Sequence, residues 1–174
     1  MSCCKNLLKI IEDDRGTTTC FNDLTDIPFK VHRLLHIDNV PNGTTRGEHA
    51  HKNCTQLLAC TKGKVTVTTT ELSEDKTSLV EKTQTLTPPG ATWTDTDFLV
   101  IPPLTWSKQT YEDDASLAVI CSRKYDEDSY IRDYEDFKNQ VGLLKPTEET
   151  APDIQEDNSS DDEQSGPAEK SKWF

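Results

Sequence analysis

A chain of 174 residues with a net charge of −12 has the size of one domain and a short extension. The acidic balance argues against a surface for nucleic acid or for anionic membranes, because both ligands are negatively charged. No apolar run approaches the ~18 residues of a membrane span, and the start, MSCCKNLLKIIEDD, lacks the apolar core of a signal peptide. We therefore expect a cytoplasmic protein without nucleic-acid or membrane partners.

The number and spacing of the cysteines are consistent with a cytoplasmic protein. None of the six belongs to a Cys-x-x-Cys pair, which argues against a zinc ribbon or a dithiol redox motif. In a cytoplasmic protein they are predicted to be reduced thiols. They are Cys3, Cys4, Cys20, Cys54, Cys60 and Cys121.

The body of the chain is predicted to be all-β, because short β-rich runs follow one another with turn signals between them. The run at Lys64–Leu72 begins KVTVTTT, whose alternation suits a strand with one buried face. Eight or more strands without a βαβ rhythm favour a sandwich or a jelly-roll barrel. The predicted strands are Asn6–Ile11, Thr17–Phe21, Lys30–Ile37, Gln56–Thr61, Lys64–Leu72, Ser78–Leu86, Phe98–Ile101 and Ser116–Ser122. The turn signals are Asn42-Gly43, Lys62-Gly63, Pro88-Pro89-Gly90 and Pro102-Pro103.

One helix is predicted near the end of this body, in DSYIRDYEDFKNQV. Acidic residues crowd its start, where the helix dipole favours them, and apolar residues recur on one face. That face is expected to pack against the strands. It carries Tyr130, Tyr134, Phe137 and Val141.

Residues 146–174 are predicted to be a disordered acidic tail following a domain of residues 1–145. This stretch carries nine acidic and two basic residues, which gives −7 there and leaves −5 for the rest of the chain. A charged segment with so few apolar residues cannot offset the entropy lost on ordering. A solvated tail without a role is the plainer interpretation, and a segment for a partner or for phosphorylation is the alternative.

The segment with the strongest chemical signal is GTTRGEHAHKNCTQ, from Gly43 to Gln56, followed by Gly63. It matches the first cupin signature, in which a glycine is followed by His-x-His, a glutamate and a second glycine. Residues i and i+2 of a strand share a face, so His49 and His51 are predicted to point to the same side. Two imidazoles directed into one cavity form either a metal site or an acid–base pair.

The other positions of the signature favour the acid–base pair. A cupin metal site normally adds the glutamate and a fourth ligand, a histidine of the second motif. Gln56 occupies the glutamate position, and Ser107 stands where that histidine is expected. Two histidines without a carboxylate would hold a divalent ion weakly, so we expect neither metal nor other cofactor. Two buried structural histidines are the plainer alternative, which the flanking Arg46 and Lys52 disfavour.

The motif RGEHAHK, residues 46–52, resembles the RGxHAHK motif of the sugar 3,4-ketoisomerases, cupins that act on dTDP-4-keto-6-deoxyglucose. The resemblance extends over about residues 7–141, and it is more specific than the His-x-His pattern alone. Its further elements are Asp14-Arg15-Gly16, Ile27-Pro28-Phe29 with Arg33, Gln56, Pro103, Trp106, Tyr125-Asp126-Glu127, Tyr130-Ile131-Arg132, and Tyr134 to Phe137.

The resemblance implies an all-β cupin (RmlC-like) jelly roll with a short C-terminal helix, which acts as a homodimer on a nucleotide-linked sugar without a metal. A base removes the C3 proton next to the C4 ketone, an enediol forms, and a proton returns at C4. The resemblance implies that His49 and His51 are catalytic, with His51 as the base and His49 shuttling the proton or orienting the substrate. Its implied substrate-binding residues are Arg15, Arg33, His36, Arg46, Lys52, Gln56 and Trp106. Arg15, Arg33 and Arg46 are the candidates for the diphosphate.

Two departures from the family pattern leave a second function open. Leu35 and His36 stand where the family has two adjacent tyrosines, and Ser107 stands where it has a histidine. His36 could replace a tyrosine, since both side chains donate and accept hydrogen bonds. The alternative is a non-catalytic cupin that binds a nucleotide sugar or serves as an interaction module. A metal-dependent cupin oxygenase is disfavoured by Gln56 and Ser107.

Overall fold

The computed structural model describes residues 9–14, 16–20, 27–88 and 97–142. They belong to one compact unit, Met1–Leu144. The predicted acidic tail and Arg15 lie outside the described residues, so the expectations for them stay predictions. Within the described part of the chain, no helix has the length and apolar character to cross a membrane.

The prediction of an almost entirely β domain is confirmed. The described residues form nine strands, one short 3₁₀ turn (Glu127–Ser129) and one helix. In chain order these are β1 (Lys9–Asp13), β2 (Gly16–Cys20), β3 (Arg33–Ile37), β4 (Thr45–His51), β5 (Gln56–Leu72), β6 (Leu79–Leu86), β7 (Phe98–Ile101), β8 (Trp106–Cys121), β9 (Tyr130–Ile131) and α1 (Tyr134–Gln140).

Two long antiparallel strands, β5 and β8, form the frame of the domain. They pair along nearly their whole length, from Gln56 opposite Cys121 to Thr70 opposite Trp106. One half of this ladder is flanked by β7 and β3, and the other half by β6 and β4. β9 then pairs with β4, while β1 and β2 form a separate two-stranded sheet. The frame therefore takes part in two groups of strands.

The change from one half to the other occurs at Gly63, which sequence analysis wrongly assigned to a turn between two strands. The chain continues through it as a single strand, and the register shifts on both sides of Lys62. Gly63 has a φ of +68°, and Asp113 and Asp114 on the partner strand also have positive φ. Such bulges bend a strand without ending it. β8 likewise begins at Trp106, ten residues before the predicted strand.

The main core lies between the two halves of the frame. It draws side chains from both halves of β5, including Leu58 and Val65, and from both halves of β8, including Tyr111 and Leu117. Two smaller clusters cover the outer faces. One surrounds Leu57, Phe98 and Ile120, and the other lies under α1.

The predicted C-terminal helix is only partly confirmed. α1 begins after Asp133, whose side chain accepts a hydrogen bond from the Asp136 amide and caps the helix. Asp126 instead caps the short 3₁₀ turn by accepting from the Asp128 amide. After this turn the chain is extended, so Tyr130 lies on β9 rather than on the helix.

We expect Gly63→Ala to destabilise the domain by more than about 2 kcal/mol, because an added Cβ meets two obstacles. The positive φ disfavours a side chain, and the Cβ would lie 2.4 Å from the Asp113 carbonyl oxygen. Gly43→Ala is the matched control, since Gly43 has a φ of +79° but no atom near the added carbon. Thermal unfolding should show a clearly larger loss for Gly63→Ala, and equal losses would contradict this role of the bend.

Candidate functional site

A bulge in β4 determines which of its side chains face the interior. The register against β8 shifts between Gly47 and His49. As a result, Arg46 lies opposite Gln109 and His49 lies opposite Ser107. Gln109 and Ser107 are two residues apart, on one face, and both are buried. The bulge therefore brings Arg46 and His49 to the same inner face although they are three residues apart.

His49 and His51 come together on this face, as predicted. Their ring centroids are 5.1 Å apart, and the planes are nearly perpendicular. Nδ1 of His49 lies 2.9 Å from the Gly47 carbonyl oxygen. A carbonyl only accepts, so Nδ1 carries the hydrogen and Nε2 is the basic atom of the neutral ring. His51 is 4% exposed, and neither ring nitrogen has a hydrogen-bond partner among the described residues.

The environment of the pair keeps both imidazoles neutral. Burial lowers the pKa of His51 from 6.5 to about 3, with further contributions from His49 and from the cations of Arg33 and Arg132. Burial also lowers the pKa of His49, although the bond to the Gly47 carbonyl opposes this shift. At neutral pH both rings therefore offer an unprotonated nitrogen, as a general base requires.

Tyr130 is a member of the site that sequence analysis missed. It lies directly opposite His51 in the pairing of β4 with β9. Its ring centroid is 4.2 Å from that of His51 and 5.1 Å from that of His49. Sequence analysis placed Tyr130 on the packing face of the predicted helix, because the apolar residues there have helical spacing. The stronger signal was the cap at Asp133, which places the helix start at Tyr134, four residues after Tyr130.

Arg33 approaches the site from β3. Its Nη2 lies 3.4 Å from the Tyr130 hydroxyl and 3.7 Å from the Cys121 sulfur, while Nε and Nη1 are buried and have no partner in the part of the chain that the structure describes. Gln56 directs its amide to the same sulfur, at 3.8 Å. A hydrogen bond shared with Cys54 and burial raise the pKa of Cys121, so this group remains a thiol. The free donors of Arg33 are therefore available to an anionic ligand.

A second arginine borders the site at its exposed side. The Arg132 guanidinium lies 4.5 Å from the centre of the Tyr130 ring. It is held by Glu127 through contacts of 3.1 and 3.2 Å to the two carboxylate oxygens. Tyr125 stacks beside Tyr130 and under Arg33. Sequence analysis listed these residues in the family pattern but did not assign them to the site.

Three residues predicted to bind substrate lie apart from the histidine pair or are engaged elsewhere. His36 is exposed on the opposite face of β3 from Arg33, because alternate residues of a strand face opposite sides. Trp106 packs on Tyr134 and Phe137 of α1, with ring centroids 5.0 and 5.7 Å away. Lys52 donates to the Asp128 carbonyl at 2.8 Å and so fastens the turn before β9.

The residues at the usual cupin ligand positions do not fit a metal. Gln56 is paired with Cys121, and Ser107 accepts a hydrogen bond from Gln109 at 3.3 Å. Across the described residues, no three His, Cys, Asp or Glu side chains come close enough to form a metal site. These residues therefore do not supply the ligand set of a cupin metal site.

The family model described as FdtA: WxcM-like, C-terminal matches residues 2–142 of the chain. The chain belongs to the FdtA family. This match covers the two histidines, Tyr130 and all the arginines described above, so the whole site lies inside the shared domain.

Relatives of this FdtA-family chain include named sugar isomerases. It is 30% identical over 140 residues to TDP-4-oxo-6-deoxy-alpha-D-glucose-3,4-oxoisomerase of Aneurinibacillus thermoaerophilus, with coverage of 80% of the chain and 91% of the relative. It is 32% identical to QdtA, a sugar 3,4-ketoisomerase from Thermoanaerobacterium thermosaccharolyticum solved with TDP. That structure matches with a TM-score of 0.65 over 77% of the chain and 90% of QdtA.

A more distant solved structure shows the fold alone. The dTDP-4-dehydrorhamnose 3,5-epimerase of Elizabethkingia anophelis is 16% identical, with a TM-score of 0.53 over 75% of this chain and 76% of the epimerase. Together with QdtA it confirms the predicted cupin (RmlC-like) fold class of this FdtA-family protein.

The buried pair predicts how the stability of this FdtA-family protein depends on pH. The unfolded chain binds a proton at His51 below about pH 6.5, whereas the folded protein does so only near its lowered pKa of about 3. His51 therefore has no effect on stability above pH 6.5 and reduces the free energy of unfolding as the pH falls through this window.

We expect His51→Asn to lose less stability than the parent between pH 7 and pH 4.5, because the variant lacks this proton uptake. Thermal unfolding at a series of pH values measures the difference. His32→Asn removes an exposed imidazole and should keep the slope of the parent. Parallel slopes for His51→Asn and the parent would show that burial of His51 does not oppose protonation.

Proposed function

We propose that the protein is a 3,4-ketoisomerase of a TDP-linked 4-keto-6-deoxyhexose and that it works by histidine acid–base catalysis without a metal. The observation that carries the proposal is the pair of imidazoles on one inner face, in which both nitrogens of His51 are buried and have no partner among the residues that the structure describes. Membership of the FdtA family and the named relatives supply the substrate class.

The reaction suits the electrostatics of the site. A proton on C3 is acidified by the neighbouring C4 ketone, because the charge left behind spreads onto oxygen. His51 takes that proton and returns it to C4, and His49 orients the sugar or passes protons. The cations of Arg33 and Arg132, which disfavour protonated histidine, stabilise the negative charge of the enediolate.

The arginines also suit the diphosphate of the substrate. Two buried nitrogens of Arg33 have no partner within the described ranges, and a guanidinium binds phosphate oxygens through paired, charge-assisted hydrogen bonds. Arg46 shares the inner face with His49 and forms no ion pair with another described residue. We assign diphosphate binding to Arg33, Arg46 and Arg15, and add Arg132 at the exposed side of the site.

A second candidate function is binding of the nucleotide sugar without turnover. Leu35 packs against the main core at one of the family's tyrosine positions, and Ser107 lies opposite His49 at the family's histidine position. These positions lack two groups that handle protons or bind sugar in the family pattern. The histidine pair favours catalysis over this alternative.

We expect the protein to convert dTDP-4-keto-6-deoxyglucose to a 3-keto product and to incorporate solvent deuterium next to the ketone. His51→Ala should abolish this exchange, since positioned proton transfer is worth ~100- to 10,000-fold in rate. Its affinity for the nucleotide sugar should stay within about tenfold, because a base contributes little to ground-state binding. His49→Asn should reduce turnover by less. Proton NMR in deuterated water follows both products and exchange.

Treatment with a chelator is the control for metal independence and should leave the rate unchanged. Near-stoichiometric iron, manganese or zinc by elemental analysis, with activity lost on chelation, would contradict that part of the proposal. Equal exchange by His51→Ala and the parent would place the base elsewhere. Tight binding of the nucleotide sugar by a parent that never exchanges deuterium would favour the binding module.

We further propose that the protein is a homodimer in which N-terminal strands pair between chains. β1 and β2 pair with each other and, within the described residues, with no other strand, so each keeps an edge of free backbone groups. Pairing between chains removes such an edge. Light scattering at micromolar concentration should give twice the chain mass, and a monomeric mass would contradict the proposal.

A further inference from the structure

The proposed isomerisation moves two protons, one bound to carbon and one bound to oxygen. His51 transfers the proton on carbon. A proton on carbon passes from C3 to C4. A second proton must leave the hydroxyl oxygen at C3 and appear on the oxygen at C4. His51 holds the carbon-bound proton while the enediol forms, and the ring hydrogen of neutral His49 lies on Nδ1 against the Gly47 carbonyl, so Nε2 of His49 has no hydrogen to donate to O4. The site therefore requires a further group that exchanges protons with oxygen.

Tyr130 stands at the place that such a group must occupy. Its ring lies 4.2 Å from that of His51 and 5.1 Å from that of His49. Tyr130 on β9 is directly opposite His51 on the neighbouring strand β4, so its side chain lies on the same face as the histidines. A sugar held against His51 is thus also beside the phenol.

The contacts around Tyr130 fix its ring. On the preceding turn, the Lys52 amide donates to the Ser129 carbonyl and the Lys52 ammonium to the Asp128 carbonyl, both at 2.8 Å. Arg132, held by Glu127, lies over the ring itself. A side chain fixed from several directions can present its oxygen in one position, as proton transfer requires.

The hydrogen-bonding state of the phenol leaves its proton for a ligand. Arg33 lies 3.4 Å from the hydroxyl oxygen and can only donate to it. No described residue accepts a hydrogen bond from Tyr130, so its own hydrogen is directed to none of them. The guanidinium also stabilises the oxygen during the interval in which its proton resides on the substrate.

We propose that Tyr130 is a catalytic residue that carries the oxygen-bound proton from O3 to O4 of the sugar; this rests on the proposed isomerase function. As His51 removes the C3 proton, the electrons of that bond form the C3–C4 double bond, and O4 takes the Tyr130 proton. The O3–H bond then breaks, its proton returns to the phenolate, C3=O forms, and C4 takes the proton held by His51. Both residues end as they began.

Tyr130→Phe tests this role, because it keeps the ring against His51 and removes only the hydroxyl. We expect its kcat to fall ~100-fold or more, with the affinity for TDP within about threefold and an unchanged melting temperature. Tyr134→Phe is the matched control, since Tyr134 lies on α1 against Trp106 and Phe137. It should retain the parent rate.

A second variant distinguishes proton transfer from packing. Incorporation of 3-fluorotyrosine at position 130 makes the phenol more acidic while its shape is nearly kept, so the alkaline limb of the rate profile should move to lower pH. An unmoved limb would overturn the proposal, and so would a large loss of melting temperature or TDP affinity in Tyr130→Phe.

The outcomes also distinguish failure of the Tyr130 role from failure of the proposed isomerase function. If the parent isomerises the sugar and Tyr130→Phe does so within threefold of the parent rate, Tyr130 is not catalytic and the isomerase function stands. If the parent neither isomerises the sugar nor exchanges deuterium, the proposed function fails and the role of Tyr130 fails with it.

Discussion

The site depends on the long pairing between β5 and β8. Because this ladder runs through both groups of strands, it provides the pairing partner of β3, β4, β6 and β7. Gln56 and Cys121 come together at one end of it, and Ser107 lies opposite both Thr69 and His49 farther along. The bulge at Gly63 lets one continuous ladder serve both halves, since it bends the strand without breaking it. β4 and β9 are then added in a register that the ladder has already determined.

Electrostatics links the fold to the proposed chemistry. The same features that lower the pKa of His51, burial and nearby cations, keep it neutral and ready to accept a proton at physiological pH. A neutral base with so low a pKa is a weak base. A bound sugar changes the balance, because negative charge developing on its oxygens would stabilise the imidazolium beside it. Arg33 and Arg132 therefore oppose protonation of histidine by themselves and, in the proposed reaction, favour the enediolate.

The departures from the family pattern have different consequences once the faces of the strands are known. Leu35 points inward and packs in the main core, whereas the neighbouring His36 is exposed on the other side. His36 is thus poorly placed to replace a lost tyrosine beside His51. Ser107 is at the inner position opposite His49, so a small hydroxyl stands where a ring would otherwise adjoin the pair. These differences leave Tyr130 as the phenol in contact with both histidines.

The sequence by itself determined the all-β class and the shared face of His49 and His51, because residue alternation along a strand is a local property. It also identified the family, through the RGEHAHK motif. Only the tertiary structure decided that Lys62-Gly63 bends a strand rather than ending it, since unbroken pairing with β8 outweighs the local turn preference. The backbone conformation of Tyr130 was also decided by the tertiary structure. Its spacing is compatible with a helix, but pairing of β9 with β4 and the cap at Asp133 make it extended. The cap is a local signal at Asp133, whereas the pairing joins segments far apart in the chain, and no local pattern records that contact.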